Sequence, residues 1–201
     1  MGLGIEVLIL DWGRVASASP HVRSGLLEEA VFGDDQPGGP DEEGWVWPTR
    51  ADAVWYGRYA FRRTLGSFKP HFWAGERWES VRGHTEPGLR TALDRFAAGL
   101  FWDGLPDMPE YAAAGPPSAR ECPWGLDLLM WCSPDEVAGL RDHWIRAAPD
   151  IEGLRDPFTG HAAQPDGWIP DFDSFARFLE DWGEVVTEAH RRGWGIVGLP
   201  W

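Results

Sequence analysis

Two short apolar segments near the ends of the chain predict buried β-strands. Residues 5–10 (IEVLIL) and 194–200 (WGIVGLP) are short and rich in aliphatic side chains, which is typical of strands covered on both faces. Residues 126–132 (LDLLMWC) predict a central strand in the same way. The three segments together indicate a small sheet.

The longest amphipathic pattern predicts a helix that starts at Asp173 or Ser174 and runs to about residue 192. Its apolar positions recur at 3.6-residue spacing and include Phe175, Leu179, Trp182 and Val186. Two arginines suit the negative end of this helix, and Gly193 suits the position just beyond it. We expect its apolar face to pack on the sheet that contains residues 5–10 and 194–200.

Capping residues predict several further helices. Ser133 begins a capping box with Pro and Glu at the first and third helical positions, and Ser19-Pro20 begins a helix that reaches about Phe32. Thr85 is the expected cap of another helix. Residues 52–65 are predicted to be helical, whereas residues 66–84 stay ambiguous.

Two polar segments interrupt these patterns. Residues 33–44 form an acidic loop rich in glycine and proline, and residues 103–123 form a long connector. Beyond these two segments no domain linker is visible, and no repeat is visible either. The prediction is one α+β domain over residues 1–201, with a small mixed sheet packed by amphipathic helices.

Charge restricts the classes of partner. The chain has 201 residues, a formal net charge of −14 and a pI near 4.7. Its overall field opposes nucleic acid, whose phosphates require neutralisation. Residues 50–95 hold nine basic and five acidic groups, which we expect to pair with the acidic remainder. A basic protein is therefore the expected partner.

The compartment is predicted from what the sequence does not contain. No segment approaches the roughly 18 apolar residues of a membrane span, and the N-terminal segment lacks the basic residues of a signal peptide. Cys122 and Cys132 are too few for a disulfide framework. One lysine against seventeen arginines suggests a GC-rich bacterial gene. We expect a bacterial cytoplasmic protein.

The C-terminal third resembles a known family. The segments CSPDEVAGLRDHW, LRDPF, DGWIPDF and FARFLEDWGEVVTEAHRRGWGIVGLP follow one another in the order of elements of the bacterial YfbM-like family. The opening MGLGIEVLIL is also similar to that family. The chain departs from it where Trp168-Ile169-Pro170 replaces an Ile-Tyr-Pro segment, and in its Trp-rich middle. The resemblance implies an α+β fold and supplies no catalytic residues.

Catalytic and cofactor motifs are incomplete. His84-Thr85-Glu86 has the H-x-E form of zinc deaminases, but the chain lacks the Pro-Cys-x-x-Cys segment that completes the site. No glycine-rich nucleotide loop or Gly-x-Ser-x-Gly elbow occurs. We therefore predict no cofactor and no metal, with both cysteines reduced. Asp11, at the end of the first strand, is either a functional carboxylate or an ordinary polar residue at the start of a loop.

The segment EEGWVWP carries the one candidate site. Asp41, Glu42 and Glu43 would form an acidic rim, and Trp45 and Trp47 an aromatic anchor for a basic partner. In an extended segment both indoles point the same way. The alternative is that the acidic residues form a solvated loop while the indoles enter the core.

Three functional hypotheses follow. The first is a non-enzymatic binding protein of the immunity or inhibitor type. The second is a small enzyme or small-molecule-binding domain whose site is assembled from scattered residues, and the third is an accessory domain without its own ligand. A deep pocket with convergent His, Asp and Arg side chains would favour the second, whereas a flat aromatic patch ringed by acidic residues would favour the first.

Overall fold

The computed structural model describes residues 2–33, 43–49, 54–104 and 121–201. The strands are β1 (Ile5–Leu10), β2 (Gly44–Val46), β3 (Tyr56–Ala60), β4 (Met130–Cys132) and β5 (Gly195–Pro200). The helices are α1 (Trp12–Ser17), α2 (Pro20–Phe32), α3 (Lys69–Arg82), α4 (Pro87–Ala97), α5 (Pro134–Ala147), a 3-10 helix (Ala148–Leu154), α6 (Arg155–His161) and α7 (Phe172–Arg192).

The five strands form one sheet in the order β2-β3-β1-β5-β4, and the α+β prediction is confirmed. All four pairings are antiparallel, so the predicted mixed sheet is wrong. Each strand runs antiparallel to its neighbours in the sheet, and β1 pairs with β5 along its full length.

Helices cover both faces of the sheet. Ile5, Val7 and Ile9 contribute to the larger core with α3 to α7, and the alternate residues Leu8 and Leu10 contribute to a smaller core with α1 and α2. Since both faces of β1 are buried, its sequence is almost uninterrupted in apolar residues. The prediction of buried strands at both ends of the chain is confirmed.

The predicted long helix is confirmed as α7. The Asp171 side chain accepts a hydrogen bond from the Ser174 backbone at 2.8 Å, and Gly193 ends the helix with φ of 68°. Trp182 is completely buried. The apolar face of α7 packs against β1 and β5, as its spacing predicts.

Two predictions of secondary structure are wrong. Residues 52–65 contain strand β3 rather than a helix, because Tyr56 and Tyr59 pack on opposite faces of the sheet and Gly57 receives the Trp47 ring. A Cβ at Gly57 would lie 2.3 Å from that ring. The segment 126–132 forms a strand only at Met130–Cys132, and this strand is at the sheet edge rather than its centre.

Helix starts show how closely caps can be predicted. The capping box at Ser133 is confirmed, with its hydroxyl and Glu136 in reciprocal contact. Helix α4 is capped by Glu86 instead of Thr85, because Thr85 donates its hydroxyl to the Val81 carbonyl at 2.9 Å. Asp11 caps α1 through a 3.1 Å bond from the Arg14 backbone. The ambiguous segment 66–84 contains α3.

Most of the two long polar segments falls outside the described residues. These are positions 34–42 of the predicted acidic loop and 105–120 of the predicted connector. Across the segments that are described, no helix has both the length and the apolar character needed to span a bilayer.

Candidate functional site

The sheet opens at one end between β1 and β3. Their pairing starts at Val7 opposite Tyr59. The residues before Val7 in β1 and after Tyr59 in β3 are not paired with each other. The Ile5 backbone instead donates to the Gly66 carbonyl at 2.8 Å. The intervening loop, residues 61–66, therefore bulges away from β1 and leaves a cleft beside it.

The loop 61–66 is held in an unfavourable backbone conformation. Arg63 and Leu65 have positive φ angles of 60° and 51°, in the left-handed region where side chains other than glycine cost about 1–2 kcal/mol each. Leu65 is also 77% exposed. The Thr64 hydroxyl bonds to the Phe61 carbonyl, and Glu43 accepts from the Arg63 backbone at 2.9 Å. Strain of this kind concentrates at functional sites.

The cleft beside this loop has a volume of about 560 Å³, within the range of small-ligand sites. We call it the His71 cleft, and its main lining residues are Ile5, Ala60, Phe61 and Trp201 on the apolar side, Glu6, Glu43, Arg58 and Arg63 on the charged side, and His71. The formal charges of these acidic and basic side chains cancel. The cleft therefore combines an apolar wall with a balanced charged rim.

His71 lies in the wall of the cleft and is only 1% exposed. Neither ring nitrogen has a hydrogen-bond partner among the described residues. Burial lowers the pKa of His71 to about 3; the Ser67 backbone opposes this shift but lies outside hydrogen-bond geometry. The ring is therefore neutral at physiological pH, with one donor and one acceptor nitrogen.

Aromatic side chains surround the His71 ring. Phe61, Phe178 and Trp182 meet it edge to face, with ring centroids 4.8, 5.0 and 5.7 Å away. Phe68 lies parallel to it at 6.0 Å. Buried polar atoms are normally paired, so within the described part of the chain the unpartnered His71 imidazole is an exception, as is the buried indole N–H of the neighbouring Trp182.

A saturated polar network lies beside the cleft. The Tyr59 hydroxyl is 3.1 Å from Asp181 Oδ1 and 2.8 Å from Glu184 Oε2, while Arg62 donates its backbone and guanidinium N–H groups to Asp181. Burial raises the pKa of Asp181, although Arg62 opposes the shift. Burial and the Asp181 charge raise the pKa of Tyr59 far above its ordinary value. This network fixes Tyr59 rather than presenting free groups to a ligand.

The charged rim contains one tight pair. Arg58 lies 3.3 Å from Glu6, and both side chains are less than one-fifth exposed. Burial raises the pKa of Glu6, and the Arg58 charge opposes this shift. The pair closes the side of the cleft where β1 and β3 separate.

The predicted partner surface lies next to the cleft. Trp45 and Trp47 are half-buried and stacked, with ring centroids 5.0 Å apart. Trp45 also meets Tyr59 edge to face at 5.0 Å, and the Arg192 guanidinium lies 4.1 Å from the Trp47 centroid. Glu43 is exposed and lines the cleft.

Asp41 and Glu42 lie outside the described residues. The partner surface therefore stays a prediction.

Other residues singled out from the sequence are not brought together. His84 is exposed and stacks on His161 with centroids 3.5 Å apart. Cys122 is half-buried and Cys132 buried, and no disulfide joins them. No group of three or more His, Cys, Asp or Glu side chains is arranged for a metal ion within the described ranges.

His71 and the loop 61–66 were missed in the sequence. His71 belongs to the ambiguous segment 66–84, and only Pro70 indicates that a helix starts there. Nothing in RRTLG predicts two left-handed residues that are not glycine. The cleft depends on the bond between Ile5 and Gly66, which no local pattern encodes.

A second cavity, of about 350 Å³, lies between α3 and β4. Its walls include Phe68, Phe101, Trp102 and Glu79. The Glu79 carboxylate already accepts the Trp102 indole N–H at 3.0 Å. We therefore take the His71 cleft as the candidate site.

Comparison with protein-family models, with curated proteins and with solved structures finds no match to this chain. The resemblance to the YfbM-like family stays a prediction.

Proposed function

We propose that this chain is a non-catalytic binding protein whose ligand enters the His71 cleft. The observation that carries the proposal is His71 itself, a neutral and unpartnered imidazole in the wall of a ligand-sized cleft. The adjacent strained loop supports it, because backbone strain of this kind clusters at ligand-binding and active sites.

The ionisable groups at the cleft favour binding over catalysis. A general acid or base works best with a pKa near the operating pH, and the pKa of His71 is about 3. Glu6 is paired with Arg58, and the Thr64 hydroxyl is bonded to the Phe61 carbonyl. Among the described lining residues, no nucleophile is paired with a base.

A protein partner is the second candidate occupant, as expected of an immunity- or inhibitor-type protein in a bacterial cytoplasm. The surface of Asp41, Glu42, Glu43, Trp45 and Trp47 would bind a basic partner, in keeping with the net charge of −14. One observation favours it: Glu43 lines the cleft and Trp45 contacts Tyr59, so this surface and the cleft adjoin.

A cleft-filling variant tests the proposal. Ala60 lines the cleft and is half-buried, so Ala60→Phe should fill the cleft. Ala16→Phe, at an exposed position of α1, is the matched control. A panel of small molecules and basic peptides is screened by thermal shift against the parent and both variants, followed by calorimetric titration.

We expect ligands that stabilise the parent and Ala16→Phe but not Ala60→Phe, and that mass spectrometry recovers unchanged after long incubation. A panel in which no compound or peptide separates Ala60→Phe from the parent would overturn the proposal. Consumption of a bound ligand by the parent would replace it with an enzymatic function.

A further inference from the structure

We infer that the group which reaches His71 is a phenol hydroxyl, an inference that rests on the proposed binding function. His71 is neutral, so it offers one nitrogen that accepts and one that donates. A hydroxyl both donates and accepts through a single atom, and we expect it to donate its proton to the acceptor nitrogen of this ring. An ammonium only donates and a carboxylate only accepts.

Desolvation also excludes a charged group at this depth. His71 is 1% exposed and its neighbours are Phe61, Phe68, Phe178 and Trp182. A charge brought among these rings would lose its water and gain only one neutral partner, which is strongly unfavourable. A neutral hydroxyl loses far less on burial and regains a hydrogen bond.

The walls select an aromatic carrier for that hydroxyl. Phe61 and the half-exposed Trp201 ring both line the cleft, and Trp201 packs directly over Gly4. Aromatic rings stack or meet edge to face with gains beyond their buried area. The aromatic rings around His71 already pack in these two geometries. The aromatic ring of a ligand therefore extends the same cluster.

The remaining volume determines where the rest of the ligand lies. At about 560 Å³ the cleft is larger than a phenol ring, so a ligand continues toward the rim of Glu6, Glu43, Arg58 and Arg63. Because these charges cancel, the rim does not require a ligand of either sign. Two sources fit this chemistry: a free phenolic compound, or a tyrosine side chain presented by a partner protein.

The test compares p-cresol with 4-methylanisole, in which a methyl group replaces the hydroxyl proton. Binding to the full-length chain is measured by calorimetry, and the imidazole ¹⁵N shifts of His71 report the hydrogen bond. We expect p-cresol to bind at least tenfold more tightly than 4-methylanisole, since the ether can no longer donate. We also expect p-cresol to shift a His71 nitrogen resonance.

His71→Phe and His71→Leu should abolish this preference, and the second variant serves if the larger phenylalanine impairs folding. Ala60→Phe should abolish binding of both probes. Equal affinity for the two probes, or a preference that survives in the folded His71 variants, overturns the inference. An unshifted His71 resonance with p-cresol bound also overturns it.

The binding experiments distinguish a wrong phenol assignment from a wrong proposed function. If p-cresol does not bind but other ligands distinguish Ala60→Phe from the parent, only the phenol assignment is wrong. If nothing distinguishes them, both are wrong. Acetyl-Gly-Tyr-Gly-amide separates the two sources: tighter binding than p-cresol supports a tyrosine of a partner, and weaker binding supports a free phenol.

Discussion

Replacing His71 with phenylalanine should remove a specific loss of stability at low pH. The pKa of His71 is about 3 in the folded chain, against an ordinary value of 6.5. Below pH 6.5 the His71 side chain therefore binds a proton in the unfolded chain but stays neutral in the folded chain. The contribution of neutral His71 to the free energy of unfolding is fully present above pH 6.5 and is lost as the pH falls towards 3.

The size of this effect follows from the two pKa values. At pH 5 the unfolded side chain is almost fully protonated, and the native side chain is almost fully neutral. The linkage relation then gives a loss of about 2 kcal/mol between pH 8 and pH 5 from His71 alone. This is a large share of the roughly 5–15 kcal/mol by which domains are stable.

Urea unfolding followed by tryptophan fluorescence at pH 8, 7, 6 and 5 measures the effect. Carboxylates elsewhere titrate in the parent and variant alike, so the difference between the two pH profiles isolates His71. We expect His71→Phe to lose about 2 kcal/mol less than the parent by pH 5. His190→Gln, which removes an exposed histidine from the end of α7, is the control and should follow the parent.

Parallel pH profiles for the parent and His71→Phe would refute the reasoning. Such a result would mean that the folded chain protonates His71 as easily as the unfolded chain does. The imidazole would then have access to water or to an anionic partner, and the cleft would lack the neutral acceptor on which the phenol assignment depends.

Four further changes in unfolding free energy can be measured at pH 7 in urea. Asp181→Asn should cost about 2–4 kcal/mol, because it replaces one of the two oxygens that accept from Tyr59 and Arg62 with an NH₂ donor and removes the charge that pairs with Arg62; a smaller loss would mean that the network relaxes. Trp182→Ala should cost about 3–5 kcal/mol as a large core truncation, and an unchanged melting temperature would contradict this. Ser133→Ala should cost about 1 kcal/mol through loss of the capping box. Leu65→Asn should be more stable than Leu65→Val by about 1 kcal/mol, since asparagine tolerates positive φ; equal stability would argue against strain at this position.

The parts of the fold that could be predicted are those determined by local periodicity. Helix α7 has an apolar residue at nearly every turn and a glycine at its end, so its limits follow from the sequence. The same holds for β1, which is too short and too apolar for any other element. Ser133 identifies the start of α5 because its capping contacts lie within four residues.

The parts that could not be predicted depend on contacts between distant segments. Strand β3 has only five residues, and its alternation becomes meaningful only when β1 and β2 flank it. The His71 cleft requires Gly66 to replace the expected partner of Ile5. Trp45 and Trp47 stand out in the sequence, but their half-buried position depends on contacts with the distant residues Tyr59 and Arg192.

The central position of β1 between β3 and β5 has a consequence for biosynthesis. Strand β5 is synthesised after β1 and after the described helices that lie between them, so the β1–β5 pairing at the middle of the sheet cannot form until β5 has been made. Until then Val7, Leu8 and Ile9, which are fully covered in the folded chain, have no strand on one side. Long-range pairing of this kind slows folding. It also leaves an apolar, aggregation-prone strand exposed to chaperones. We therefore expect β1 to need protection in the nascent chain until β5 has been synthesised.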